Sequence, residues 1–196
     1  MLRPQETNST KAKRILKVTQ KKIIEAAVVT LASHPAATLS EIAAKAGVDR
    51  MTIHRHFGSR ETLLAQIAVH ALEEMREAAQ QAFTDDATAK ENLVRSIESI
   101  MPIADRVQFL LRNEALWEDP KLIRKLKKLN RDTTSIINAC KDEGEIDSAI
   151  PTAWVIEAID GLVMSALKAK QDGHISADEM AIFVIRTLFG GIQPIK

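Results

Sequence analysis

Arg50, Met51, Thr52, His54, Arg55 and His56 crowd into one short run, RMTIHRHF, and together their side chains offer what a DNA groove asks for. Arginine and histidine cations pair with phosphates, an arginine fork matches the two acceptors of a guanine edge, and a methionine suits a thymine methyl. The apolar residues of the run, Ile53 and Phe57, are four apart, so on a helix they face one way and leave the others outward. Such a surface has to be held rigidly, and the flanking residues supply the means. Asp49 can cap a helix beginning at Arg50, Gly58 can end it, and Ser59 can cap the long helix that follows. Upstream, Thr38 and Glu41 have the spacing of a capping box, with Leu39, Ile42, Ala43 and Ala46 along one side of the helix they open. Gly47 follows where that helix must stop and turn, and Val48 suits a buried turn position. Thr38 to Leu64 therefore reads as a helix-turn-helix with a third helix directly after it.

A capped helix pair with a glycine turn also serves as plain scaffold in all-α proteins, so the charge distribution decides between the two readings. Residues 1–60 hold eleven Lys and Arg against four Asp and Glu, a net +7, whereas residues 61–196 hold sixteen against twenty-two, a net −6. One end of the chain seeks phosphate and the other does not. Lys11, Lys13, Arg14, Lys17, Lys21 and Lys22 run without an intervening acid, behind the polar, proline-containing segment Met1–Thr10. Residues 1–17 are expected as a flexible basic arm that contacts DNA backbone or reaches a minor groove, with a solvated tail as the plainer reading of its first nine residues. Beyond it, Ile23, Ile24, Ala27, Val28 and Leu31 mark the core-facing side of a first helix. Those apolar residues also argue against Lys11–Leu31 as a membrane-surface helix.

Through Ile42, Ala43, Ala46, Gly47, Val48, Thr52, Ile53, His56, Phe57 and Leu63 the chain resembles the tetracycline-repressor (TetR) family of bacterial transcriptional regulators. The likeness of motif covers residues 18–66, and the rest is similar to the family in length and helical layout. The resemblance implies an all-α fold with an N-terminal three-helix helix-turn-helix DNA-binding domain at 18–66 and a C-terminal helical ligand-binding and dimerisation domain at 67–196. It also implies phosphate contacts for Thr38, Thr52, His56 and Arg60, and base contacts for Arg50, Met51 and Arg55. Three positions depart from the family's pattern: His54 stands for the usual tyrosine, Met51 for a small residue or proline, and Arg60 for the usual lysine. His54 can donate to a phosphate as tyrosine does, with a charge that depends on pH. The implied function is sequence-specific transcriptional regulation, by a homodimeric repressor released from a palindromic double-stranded operator by a small-molecule effector.

Composition is in keeping with helices. Ala, Leu, Ile, Lys and Glu abound, and no hairpin dipeptide sits between alternating apolar runs, so no sheet is expected. The start of the chain lacks the pattern of a secretory signal, and no apolar run approaches the roughly 18 residues of a membrane span, so a soluble, cytoplasmic protein is expected. Catalysis finds little to work with: no glycine-rich phosphate loop, HExxH or GxSxG occurs, and the single Cys140 falls on a stripe with Leu126, Leu129, Thr133, Ile136 and Ile137. His54 and His56 are two apart and point to different faces, while His34, His70 and His174 are scattered, so no metal site and no cofactor are expected.

Helix four should run from Ser59 to about Phe83 on a stripe of Leu63, Leu64, Ile67, Ala71, Leu72 and Met75, with Thr84–Thr88 as the clearest break in the chain. Further helices are expected over Ala89–Ile100, Ile103–Trp117, Pro120–Glu143, Pro151–Gln171 and Ala177–Leu188. Pro120 and Pro151 suit first turns, Gly144 and Gly173 suit C-terminal caps, and Ser176 with Glu179 makes another capping box. The last two helices are apolar around more than one face and so need two partners. A second copy of the chain is the expected second partner, in a homodimer with a four-helix interface through Trp154, Ala158, Leu162, Leu167, Phe183 and Leu188; a larger intrachain core is the alternative. The resemblance gives the middle helices to the effector. Met101, Phe109, Trp117 and Met164 can line an apolar pocket, with Arg106, Asn113 or Asp160 orienting a ligand, although such residues at helical spacing are more often core. A helix-turn-helix adaptor that binds protein without specific DNA readout is the remaining alternative, and salt separates the two, because phosphate contacts make affinity fall steeply with ionic strength.

Overall fold

The computed structural model describes residues 8–112 and 118–192. No glycine or proline interrupts the chain between Asn8 and His34, and α1 accordingly runs unbroken over Asn8–Ser33. Residues 8–17, expected in a flexible arm, are thus helical, while residues 1–7 of that arm lie outside the described residues. Two short helices follow, α2 (Leu39–Ala46) and α3 (Arg50–Phe57), then the long α4 (Arg60–Ala82). Next come α5 (Ala89–Ile100), a single 3-10 turn (Met101–Ile103), α6 (Ala104–Arg112), α7 (Pro120–Asp142), α8 (Thr152–Gln171) and α9 (Ala177–Ile192). The fold is all-α, with no strand among the described residues, and none of the helices described is long and apolar enough to cross a membrane.

The chain forms two compact units, residues 1–67 and 68–196, so the division falls inside α4 and not at Thr84–Thr88. That loop is instead tied down. Buried Asn92 donates from Nδ2 to the carbonyls of Thr84 at 3.0 Å and Ala87 at 3.4 Å, and its Oδ1 accepts the Thr84 N–H at 3.0 Å. Thr88 and Glu91 then form a capping box at the start of α5, and both carboxylate oxygens of Glu143 accept the Ala89 N–H at 3.0 Å.

The core of the first unit is built from Ile23, Ala27, Val28 and Leu31 of α1, Ile42, Ala43 and Ala46 of α2, Ile53 and Phe57 of α3, and Leu63 and Ile67 of α4. In the second unit Leu93 and Ile97 of α5, Val107 and Leu110 of α6, Leu122 and Ile137 of α7, Val155 and Val163 of α8, and Met180 and Val184 of α9 are buried. Cys140 joins this core, and burial pushes its thiol up to about 11, so at neutral pH it is a small apolar side chain and not a nucleophile.

One carboxylate of α8 is held away from water. Asp160 is pushed up to about 6, chiefly by desolvation and then by Glu157 one turn before it. A raised folded pKa means that the folded state favours the protonated acid, so this contribution to stability is complete below the ordinary aspartate range and is lost as pH rises through about 6. Asp160→Asn should therefore raise the thermal midpoint at pH 7.5, leave it nearly unchanged at pH 4, and flatten the intervening decline. Calorimetric melts across that range test this, and an unchanged or lowered midpoint at pH 7.5 would refute it.

Candidate nucleic-acid interface

Local bonds set the turn between α2 and α3. The Thr38 hydroxyl accepts the Glu41 N–H at 3.2 Å, while Glu41 Oε2 accepts the Thr38 N–H at 2.6 Å and its hydroxyl at 2.8 Å. These bonds, the backbone one foremost, hold the Glu41 carboxyl below the usual carboxylate range. Gly47 takes the left-handed conformation, φ 63° and ψ 39°, which costs other residues about 1 kcal/mol, and the Val48 N–H closes the helix end on the Ala43 carbonyl at 3.0 Å. Asp49 opens α3 by accepting the Thr52 N–H at 2.6 Å, a bond that also keeps its carboxyl low. At the far end the Gly58 N–H returns to the His54 carbonyl at 2.8 Å, and Ser59 Oγ accepts the Thr62 N–H at 3.2 Å to start α4.

With Ile53 and Phe57 buried, α3 presents its opposite face, and that face has two strips. Arg50, Met51, His54 and Arg55 are exposed, Met51 with 73% of its surface open to solvent. Thr52 and His56 lie one turn apart and half-buried, the His56 ring 6.2 Å from that of Phe57. Two guanidiniums, an imidazole and a thioether on one rigid strip are suited to base edges, and a hydroxyl and an imidazole along its flank are suited to phosphates.

Two residues that the resemblance gives to phosphates already have partners within the chain. Thr38 commits its amide and hydroxyl hydrogens to Glu41. Arg60 reaches back to the loop between α1 and α2, donating to the Ala37 carbonyl and, at 3.1 Å, to the Pro35 carbonyl. A guanidinium fork spans two carbonyls where a lysine ammonium offers a single point, so Arg60 fastens the segment that leads into the Thr38 cap.

In the second unit, Trp154 of α8 and Ile182 and Phe183 of α9 are exposed large apolar side chains, and Ala158 and Leu162 are half-buried. Leu162 and Phe183 border one shallow hollow with Ser165 and Val184. Leu167 and Leu188, expected on the same outward face, are buried by their own chain, because α8 and α9 pack along each other and take them inside. Ile182 sits among apolar neighbours on both sides in the sequence, which hides its outward direction.

The residues expected around a ligand do not converge. Met101 and Phe109 are buried in the core, and Asp160 and Met164 are half-buried on α8. Arg106 is taken up by Asp105, at 2.6 and 2.7 Å, and by Glu74 at 3.2 Å. Asn113 and Trp117 lie outside the described residues. A cavity of about 410 Å³ instead opens among Arg76, Ala79, Gln80 and Phe83 of α4, Leu93, Ser96, Ile97 and Ile100 of α5, Leu129, Asp132, Thr133, Ser135 and Ile136 of α7, and Ile159 of α8. Its signal in the sequence is faint: the α7 stripe mixes Thr133 and Ser135 among aliphatic residues.

Residues 23–67 match the family model for bacterial regulatory proteins of the tetR family. Over 155 residues the chain is 28% identical to the HTH-type transcriptional repressor LfrR of Mycolicibacterium smegmatis, spanning 79% of this chain and 80% of that one. Over 90 residues it is 30% identical to the HTH-type transcriptional regulator NfxB of Pseudomonas aeruginosa, spanning 46% of this chain and 48% of the other. The crystal structure of the TetR-like transcriptional regulator LfrR from Mycobacterium smegmatis in complex with proflavine is similar at a TM-score of 0.74 and 26% identity, over 91% of this chain and 99% of that one.

Arg60→Ala should weaken binding to a DNA duplex without altering how affinity falls with salt, since a residue that fastens a loop displaces no counterion. A side chain that neutralises one phosphate steepens the slope of log K against log salt by about 0.9. Titrations at several salt concentrations decide the matter, and a slope shallower by about one in the variant would put Arg60 on a phosphate.

Proposed function

We propose that this chain, which belongs to the TetR family of bacterial regulatory proteins, is a homodimeric transcriptional repressor that reads a palindromic operator with α3 and is released from it by a small molecule held in the second unit. The observation that carries this reading is the exposed strip Arg50, Met51, His54 and Arg55 on a short helix capped at both ends. Arg50 and Arg55 bring forks for guanine edges, Met51 an apolar contact for a thymine methyl, and His54, Thr52 and His56 contacts for the flanking backbone. The net +7 of residues 1–60 supplies the sequence-independent attraction that brings the domain to DNA.

Exposed Trp154, Ile182 and Phe183 support the dimer, because a second copy related by a twofold axis would cover them and pair two α3 helices on two half-sites. The direction of regulation follows the relative LfrR, a repressor, and the effector follows its complex with proflavine. A cavity of about 410 Å³ is of a size that takes such molecules. Helix α4 carries Arg76, Ala79, Gln80 and Phe83 at the cavity and Arg60, Leu63 and Ile67 in the first unit, so it is the element whose position a ligand would bias. The ligand acts by binding more tightly to the arrangement that does not fit the operator.

Phe183→Asp should turn dimers into monomers in sedimentation velocity and lower operator affinity about a hundredfold through loss of the second half-site, with helix content unchanged. Unaltered dimers in this variant, or a wild-type monomer that binds the operator tightly, would defeat the dimeric reading.

A further inference from the structure

We infer that the cavity of the second unit takes an apolar ligand that carries N–H donors, an organic amine, and discriminates against carboxylates and phosphates. This rests on the proposed release by a small molecule and names the chemistry of that molecule.

Leu93, Ile97, Ile100, Leu129, Ile136 and Ile159 make most of the wall, so the body of the ligand is apolar. Its polar features are set by where the hydroxyl hydrogens already go. Ser96 Oγ donates to the Asn92 carbonyl at 2.8 Å, Thr133 Oγ1 to the Leu129 carbonyl at 3.1 Å, and Ser135 Oγ to the Arg131 carbonyl at 3.0 Å. A hydroxyl that has given its hydrogen to its own helix presents only lone pairs to a neighbour. Three hydroxyls that could have served either way are thereby fixed as acceptors.

Charge adds to the bias. Arg76, the cation of the cavity, is paired with Asp132 through Nε and Oδ2 at 3.2 Å, so it leaves no net positive field to draw an anion. A second hollow shares Phe83, Ser135 and Ile136 with the first and reaches the Glu143 carboxylate. An amine entering here finds oxygen lone pairs for its N–H groups. A carboxylate would lose its hydration and face those same lone pairs, and a buried polar group without a partner costs more than a made bond returns. The Gln80 amide can serve either kind of ligand and does not discriminate.

The test uses the full chain without DNA and three probes of one shape: aminoacridine, acridine and acridine carboxylate, titrated by calorimetry. Aminoacridine should bind about tenfold more tightly than acridine, and the carboxylate most weakly. Joint replacement Ser96→Ala and Thr133→Val should bring aminoacridine and acridine to within about threefold of each other. Ala79→Trp or Leu129→Trp, each confirmed folded by its far-ultraviolet spectrum, should fill the cavity and abolish binding of every probe. If acridine or its carboxylate binds as well as the amine, and the tryptophan variants still block it, the amine inference is overturned while release by a cavity ligand stands. If no probe binds the wild type, or the tryptophan variants bind undiminished, the cavity is not the ligand site and both fall together.

Discussion

A helix of eight residues has no stability of its own in water, so α3 exists only because Ile53 and Phe57 are buried and both its ends are capped. Everything the helix offers to solvent depends on that anchorage. Were Ile53 and Phe57 not fixed against the core of α1 and α2, Arg50, Met51, His54 and Arg55 would not share one face, and four mobile side chains cannot match base edges held in register. Gly47 serves the same end by letting α2 stop within one residue, and Asp49 by fixing where α3 begins. The carboxylates of Glu41 and Asp49 face first-turn amides, which places two acids inside an otherwise basic unit without adding to its DNA-binding face. Arg60 extends this local bonding to the loop before α2, since its fork joins the start of α4 to the Pro35–Ala37 turn.

The sequence was legible wherever a rule acts over three or four residues. Thr38 with Glu41, Asp49 before Arg50, Ser176 with Glu179, and Gly144 and Gly173 after their helices all follow from hydrogen bonds that the chain makes with its near neighbours. The core face of α1 was equally plain, because Ile23, Ile24, Ala27, Val28 and Leu31 repeat at the helical period opposite charged residues. Legibility failed where the outcome depends on which of two apolar faces a distant helix covers. Leu167 and Leu188 look no different from Phe183 in the sequence, yet α8 and α9 bury the first two against each other and leave the third open. Arg106 resembles a ligand-orienting cation until Asp105 and Glu74 are seen to occupy it, and the cavity draws on three turns of α5 and α7 whose meeting no local pattern specifies.

Two sites of different character thus share the chain. The DNA-facing strip is a matter of short-range geometry, fixed by caps and two buried anchors, and it is basic. The cavity is a matter of long-range packing, lined by aliphatic side chains with its cation Arg76 neutralised, and the unit that holds it carries a net negative charge. Helix α4 contributes side chains to both units, which makes its placement the natural variable for a regulator to control. A small shift there matters because packed cores switch between discrete arrangements and do not deform continuously.

Selection of binding sites from a random duplex library, by the wild type and by Arg50→Ala and Arg55→Ala, tests the central claim most directly. Readout by a dimer through α3 predicts one enriched palindrome for the wild type and a half-site preference that relaxes, at different base pairs, in each variant. No enrichment at low salt, or the same preference in all three proteins, would contradict it.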